Sequence, residues 1–225
     1  MEREERYERN RIWTPKEQEE LGRKRVAVIG CGGLGGYIIE MLGRMGIGHI
    51  VACDGDVFVP SNLNRQLLST EALLGASKAQ AAADRMHLVN SETQVTVRDC
   101  FLTEETGPGI LKGCDVAVDA LDNPGAKRLL QRLCRQANIP MVHGAIGGWF
   151  GQVTTILPGD DTLDHLYRED AAIPSEAGNP SFTPAAAAAV EVGEVVKLLL
   201  GKGTLLRGQV LMLDLLNGEF ETVEL

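Results

Sequence analysis

Apolar positions come in short β-branched runs separated by stretches of helical period, and the two kinds alternate through the first two thirds of the chain. Residues 25–30 form such a run, ending in glycines, which predicts a buried parallel strand. Residues 34–45 then repeat at helical spacing, with Ile38, Ile39, Leu42 and Met45 on one face. A second strand is expected over 49–54, stopping at an aspartate. Residues 58–68 carry Pro60, Asn62 and Asn64 and read as a loop or a broken helix. A helix over 77–88, strands over 94–97 and 115–119, a helix over 125–137 and a strand over 140–143 continue the alternation. Strand and helix in turn predict an α/β fold with a doubly wound, mostly parallel sheet.

After Gly144 the pattern changes. Residues 151–156 alternate as an antiparallel strand would. Residues 157–181 are rich in Pro, Gly, Asp and Ser without a clear period, which predicts a long mobile loop. Thr183 is expected to cap a helix that has Pro184 at its first position, runs through the alanine tract to Leu200 and ends at Gly201. Runs at 209–214 and 219–223 flank Asn217-Gly218, a hairpin signal. The polar residues 1–24, anchored by Tyr7 and Trp13, read as a helical arm, leaving 25–225 as a single domain.

Composition narrows the classes. The formal charge of −9 and an aromatic content of 4% argue against a nucleic-acid groove or a base-stacking surface. Cys31, Cys53, Cys100, Cys114 and Cys134 form no C-x-x-C pair and sit in apolar segments, as expected of reduced thiols in a cytoplasm rather than a disulfide frame or a zinc site. No secretory signal and no apolar run of membrane-spanning length is visible, so a cytoplasmic protein without a membrane partner is expected.

The candidate chemistry gathers at strand ends. Gly30-Cys-Gly-Gly-Leu-Gly-Gly36 follows a strand and opens a helix, where glycines allow close backbone approach and the helix N-terminus offers N–H donors to phosphate. Such a loop fits NAD, FAD, S-adenosylmethionine or ATP equally. Asp54, at the end of the second strand, is placed to accept hydrogen bonds from a ribose. Ser61-Asn-Leu-Asn-Arg-Gln66 and Lys78 add cations that a nicotinamide enzyme does not need. An enzyme moving a nucleotidyl group does need them, to neutralise phosphate charge as a nucleophile attacks. Asp122, in Asp119-Ala-Leu-Asp-Asn123, is a candidate Mg²⁺ ligand at the same edge.

In this order the motifs GxGGLG, DxD, SNLxRQ, a helix-opening lysine and DxxDN resemble the ThiF/MoeB/HesA group, relatives of the ubiquitin-activating enzymes, over about residues 6 to 200. The resemblance implies a Rossmann-like sheet extended by C-terminal antiparallel strands, normally a homodimer. It implies adenylation of the C-terminal carboxylate of a small β-grasp, ubiquitin-like sulfur carrier with a Gly-Gly end, using ATP and Mg²⁺. Position by position, Gly30, Gly32, Gly33 and Gly35 would cradle the nucleotide, with Gly33 against the phosphates. Asp54 and Asp56 would form the ribose side, and Ser61, Asn62, Arg65, Gln66 and Lys78 would surround the triphosphate. Asp122 would hold Mg²⁺ with Asn123 beside it. Arg6-Tyr-Glu-Arg9 resembles an N-terminal element whose second arginine enters the neighbouring subunit's site; read from the arm alone, Arg9 is a solvated charge.

Two departures from the family pattern shape the expectation. The two C-x-x-C pairs that hold zinc in many members are missing, so no zinc site is expected. Pro174, beside Ser175, stands where thioester- or persulfide-forming members carry a cysteine. The leading expectation is therefore acyl-AMP formation without a covalent cysteine, with sulfur coming from a separate donor. The alternatives are adenylation of a carboxylate on modified tRNA, as in threonylcarbamoyladenosine dehydratases, and a nucleotide-binding, non-catalytic partner subunit. A dehydrogenase ranks last, because His143, its one candidate acid, reads as a hydrogen-bonded histidine at a strand end.

Overall fold

A computed structural model describes residues 3–167 and 178–225. Five strands, β1 (Arg25–Ile29), β2 (His49–Cys53), β3 (Gln94–Arg98), β4 (Val116–Asp119) and β5 (Met141–Gly147), are parallel to one another. Three more, β6 (Phe150–Ile156), β7 (Gln209–Asp214) and β8 (Glu219–Glu224), extend the sheet in antiparallel fashion. Among the described residues the order is β3-β2-β1-β4-β5-β6-β7-β8. The chain leaves β1 toward β2 on one side and returns to β4 on the other, which opens a crevice at the carboxyl ends of β1 and β4. This is the expected sheet, with its antiparallel extension.

Central strands read as continuous apolar runs because both of their faces are covered. On one face lie α3 (Gly33–Met45), α4 (Lys78–Val89) and α8 (Phe182–Leu200). On the other lie α5 (Gly107–Leu111), α6 (Pro124–Ala137) and α7 (Thr162–Leu166). Val26 and Val28 point into the first core, Ala27 and Ile29 into the second, which is the two-residue period of a strand between two layers. The N-terminal helices α1 (Arg3–Arg6) and α2 (Pro15–Leu21) pack near the far end of α3: Asn90 Nδ2 donates to Tyr7 Oη at 2.9 Å and Gln18 Nε2 to the Met45 carbonyl at 2.8 Å. Thr14 and Glu17 close a reciprocal capping box at the start of α2. No helix among the described residues is long and apolar enough to cross a membrane.

Three local expectations change. The stretch 157–181 contains α7, and its residues 168–177, with Pro174 and Ser175, lie outside the described residues. Sequence hides α7 because its support is remote: the Gln131 side chain accepts the Leu163 N–H at 2.8 Å and donates to Asp164 at 3.1 Å. Thr183 is not a cap. The helix already starts at Phe182, and the buried Thr183 hydroxyl donates instead to the Gly148 carbonyl at 2.7 Å, tying α8 to the β5–β6 turn. Helix α5 goes unread because Gly107-Pro-Gly109 has turn composition, although Ile110 and Leu111 bury it.

Two glutamates of α8 are buried with opposite outcomes. Glu194 accepts from Thr155 Oγ1 at 2.5 Å and from the Leu206 N–H at 2.8 Å. Both oxygens of Glu191 are buried without a hydrogen-bond partner, in the space that Gly144 leaves open: a Cβ there would lie 2.3 Å from the Glu191 carboxyl carbon. Burial, reinforced by the nearby Asp119 charge and opposed by Lys127, pushes the Glu191 carboxyl well above its ordinary range, so it is protonated in the fold.

Two stability predictions follow from this packing. A Cβ on Gly35 would fall 1.8 Å from the Gly30 carbonyl oxygen, so Gly35→Ala should lose about 1–3 kcal/mol, outweighing its helix-propensity gain. Urea unfolding checks this, and a variant as stable as wild type would refute the contact. For Glu191, the unfolded carboxyl releases its proton near 4.5 while the folded one keeps it. Wild-type stability therefore falls as pH rises from there through the raised folded value. Glu191→Gln should match wild type most closely at about pH 5 and gain on it by about pH 8. Equal differences in urea midpoint at both would exclude a protonated Glu191.

Candidate active site

The crevice holds a cavity of about 460 Å³. Its floor begins at Gly30, whose φ of 99° turns the chain out of β1. A Cβ there would lie 2.5 Å from the Ala120 carbonyl oxygen, so only glycine lets the β1 and β4 ends meet. Helix α3 follows with Gly32 as its N-cap and no side-chain cap, which leaves first-turn N–H groups for a ligand. Gly33 lies where a Cβ would be 3.7 Å from Pro184 and 3.9 Å from Arg65 Nε, so α8's first turn and Arg65 both border the glycine loop. Gly30, Gly32 and Gly33 line the cavity; Gly35 does not, and serves to seat α3 on Gly30.

Beyond β2, Asp54 lines the cavity with its carboxylate already oriented: Oδ2 accepts the Cys31 N–H at 2.7 Å and Oδ1 the Asp56 N–H at 2.8 Å. Burial pushes its carboxyl above the ordinary range, against the pull of those N–H groups and of Lys78. Lys78 opens α4, buried except toward the cavity, with Nζ 3.1 Å from Asp56 Oδ2. Arg65 lines the cavity too, held by the Ser61 carbonyl at 3.0 Å and Asn64 Oδ1 at 2.9 Å. Gln66 is buried among the lining residues, and its Oε1 lacks a partner.

Asp122 and Asn123 complete the expected set on the opposite wall. Asn123 has a second duty as the α6 cap, accepting the Ala126 N–H at 2.8 Å. Besides Gly35, three expected residues lie outside the cavity lining. The Asn62 Oδ1 accepts the Val59 N–H at 3.1 Å and shapes the turn, while Ser61 offers Arg65 its carbonyl. Arg9 is exposed near the far end of α3, a helix of 13 residues and so about 20 Å long, and does not reach the cavity of its own chain.

Beneath this wall lies a charge network that motif reading missed. Asp119 is fully buried, with Oδ2 2.6 Å from His143 Nδ1 and 3.2 Å from Lys127 Nζ. Burial alone would push its carboxyl up; Lys127 and His143 outweigh that and hold it below the ordinary range. Lys127 also lines the cavity and donates to the Gly144 carbonyl at 2.8 Å. Burial keeps the His143 imidazole below its ordinary value, hence neutral at pH 7. Nδ1–H then donates to Asp119, and Nε2 accepts from the Tyr167 hydroxyl at 3.1 Å, which itself accepts from Gln152 at 2.9 Å. His143 is thus hydrogen-bonded, as expected, but it lies within β5, which runs on to Gly147, rather than at the strand's end. A signal for Lys127 did exist: it lies three residues before Leu130 and seven before Cys134, on the buried face of α6. Asn179 also lines the cavity, with a buried, unpartnered Oδ1, and no pattern in the sequence marks it.

Four of the five thiols are poor nucleophiles. Burial pushes Cys31 well up and Cys53 up to about 12, and it raises Cys114 and Cys134 as well.

A glycine loop, an oriented aspartate, two cations and a second aspartate around one crevice suit phosphate-bearing substrates, and comparison with known proteins agrees. The ThiF family model matches residues 7–225. The SAMP-activating enzyme E1 of Haloferax volcanii is 35% identical over 214 residues, covering 93% of this chain and 79% of that protein. The sulfur carrier protein adenylyltransferase of Thermus thermophilus is 34% identical over 219 residues, covering 92% and 80%. Among solved structures, the tRNA N6-threonylcarbamoyladenosine dehydratase of Escherichia coli superposes with a TM-score of 0.75 at 26% identity, covering 88% of this chain and 95% of that one. The chain belongs to the ThiF family, as an adenylyltransferase of the ThiF/MoeB type.

Proposed function

We propose that this protein uses ATP and Mg²⁺ to adenylate the C-terminal carboxylate of a small, ubiquitin-like sulfur carrier with a Gly-Gly end. The observation that carries the reading is the convergence of the glycine loop, Asp54, Arg65, Lys78 and Asp122 on one cavity. The fit to a nucleoside triphosphate rests on the uncapped start of α3, the glycine cradle and the two cations. Among the described residues no group of three or more His, Cys, Asp or Glu could hold a metal ion alone. A single carboxylate, Asp122, sharing the ion with phosphates suits magnesium.

In the proposed reaction a carboxylate oxygen attacks the α-phosphorus in line, forming the acyl adenylate and releasing pyrophosphate. The attacking group is already ionised at neutral pH, so no general base is required. Asp54 accepts the ribose hydroxyls through its remaining lone pairs. The α3 N-terminus and Arg65 take up phosphate charge, and Lys78 exchanges its ion pair with Asp56 for the triphosphate. Bound Mg²⁺ would supply charge neutralisation on the phosphates. Catalysis is then positioning and electrostatics, with no thiol involved. Arg9 would serve the site of a partner copy in a homodimer. Pro174 and Ser175, at the place of the family's cysteine, are consistent with sulfur arriving from a separate donor.

The test is carrier-dependent ATP–pyrophosphate exchange. Wild type should exchange, and Arg65→Ala, Lys78→Ala and Asp122→Ala should each lose on the order of 100-fold or more with thermal unfolding unchanged. Exchange surviving all three substitutions would overturn the site. Exchange driven by threonylcarbamoyladenosine tRNA but by no carrier would transfer the reaction to a tRNA carboxylate, and nucleotide binding without any exchange would indicate a non-catalytic subunit. Arg9→Ala should inactivate by itself, and mixing it with Lys78→Ala should restore about a quarter of wild-type activity through mixed dimers. Full activity in a monomer would exclude action across subunits.

A further inference from the structure

Asp122 is exposed, and among the described residues the one bond to its carboxylate is a long one, 3.5 Å from Asn123 Nδ2. Its aim into the cavity is therefore set by the backbone of the turn between β4 and α6. That turn is clamped from beneath. The buried Asp119 carboxylate reaches forward to accept the Leu121 N–H at 3.0 Å, and the Ala120 N–H donates to the Ile29 carbonyl at 2.9 Å. On the helix side, the Lys127 N–H donates to the Asn123 carbonyl at 3.1 Å, while its ammonium bonds both Asp119 and the Gly144 carbonyl. Lys127 thus joins the first turn of α6 to β4 and β5, and Asp119 joins the same ammonium to the turn. His143 supplies a third donor to Asp119, and Tyr167 and Gln152 fix its tautomer.

A buried ion pair is an expensive device. An apolar pair of similar volume would commonly be as stable or more so. What the pair does here, and an apolar pair would not, is hold the backbone on both sides of Asp122 through directed bonds. We propose that Asp119 and Lys127 are positioning residues for the adenylation site, fixing the turn that aims Asp122 at the nucleotide-bound magnesium ion. Neither touches the reacting atoms; both act through Asp122. The inference rests on the reading of Asp122 as the residue that shares Mg²⁺ with the phosphates.

The test is nucleotide binding without catalysis. The full-length protein is titrated with a fluorescent ATP analogue, first free of divalent ions and then at rising Mg²⁺. In wild type Mg²⁺ should tighten binding, and in Asp122→Ala it should not. Asp119→Asn, a substitution outside the cavity lining, should keep Mg²⁺-free affinity within about twofold, and both it and Lys127→Met should need about tenfold more Mg²⁺ to reach half of the enhancement, the usual cost of removing a partner behind a metal ligand. Should either single variant fail to fold because it leaves a lone buried charge, the double variant removes both charges. It should fold and still show the raised Mg²⁺ midpoint. Lys127→Arg, which keeps the cation, should recover most of the midpoint.

Folded variants with a wild-type Mg²⁺ midpoint would overturn the positioning role. So would an equal loss of Mg²⁺-free binding in Asp119→Asn, which would mean that the pair supports the whole cavity rather than the Asp122 turn. A wild type whose binding ignores Mg²⁺ would instead remove the magnesium reading itself, and this inference with it.

Discussion

The constraint on which the rest of this structure depends is the approach of two strand ends that point the same way but belong to opposite halves of the sheet. Strand β1 turns out at Gly30 directly over the Ala120 carbonyl that follows β4, and Gly35 seats the next helix on the Gly30 carbonyl. Any side chain at either glycine would force these segments apart. With them together, one wall of the crevice is a helix N-terminus, rich in N–H donors, and the facing wall is a turn carrying carboxylates. A site for a charged ligand then follows from the backbone alone, before any functional side chain is placed.

Electrostatics explains how a chain of net charge −9 can offer a phosphate site. The cations at the cavity are each held by an acid or by backbone oxygens: Lys78 by Asp56, Lys127 by Asp119 and Gly144, Arg65 by the Ser61 carbonyl. The three arrangements are not equivalent. Asp56 is more than half exposed, so exchanging its contact with Lys78 for a phosphate contact costs little. Asp119 is wholly buried, so its bond to Lys127 is one that ligand binding cannot cheaply break. Under the proposed reaction, Lys78 is the cation that moves and Lys127 the one that stays. The distinction comes from exposure, not from residue type.

Much of this was legible in the sequence. The strands were readable because a two-sided core demands continuous apolar runs, and the glycine loop because close approach tolerates no other residue. The motif residues that line the cavity sit at strand ends, where position and chemistry can be read together. What stayed hidden depends on contacts across sequence distance. Helix α7 is held by Gln131, more than 30 residues earlier in the chain. Thr183 had the local look of a cap but spends its hydroxyl on Gly148. Asp119 looks like the last residue of a strand and Lys127 like a surface cation; only the fold buries both and brings them together. Lys127 could have been suspected from its place on the apolar face of α6, where a charge needs a buried partner.

Under the proposed reaction no side chain acts as a nucleophile, and the surroundings of several candidate groups suit that reading. Covalent catalysis needs a group whose protonated form releases its proton readily, and the environment here works the other way. Burial raises the thiols of Cys31 and Cys53 beside the cavity, leaving almost no thiolate at neutral pH. The neutral His143 has both ring nitrogens committed, one to Asp119 and one to Tyr167. What the cavity offers instead is N–H donors of α3, the cations, and the carboxylates of Asp54 and Asp122, groups placed to bind and stabilise charge. A substrate that brings its own ionised nucleophile, as a carboxylate does, asks nothing more of such a site. That match between what the cavity can supply and what attack on an α-phosphate requires is the strongest physical argument for adenylation as the chemistry performed here.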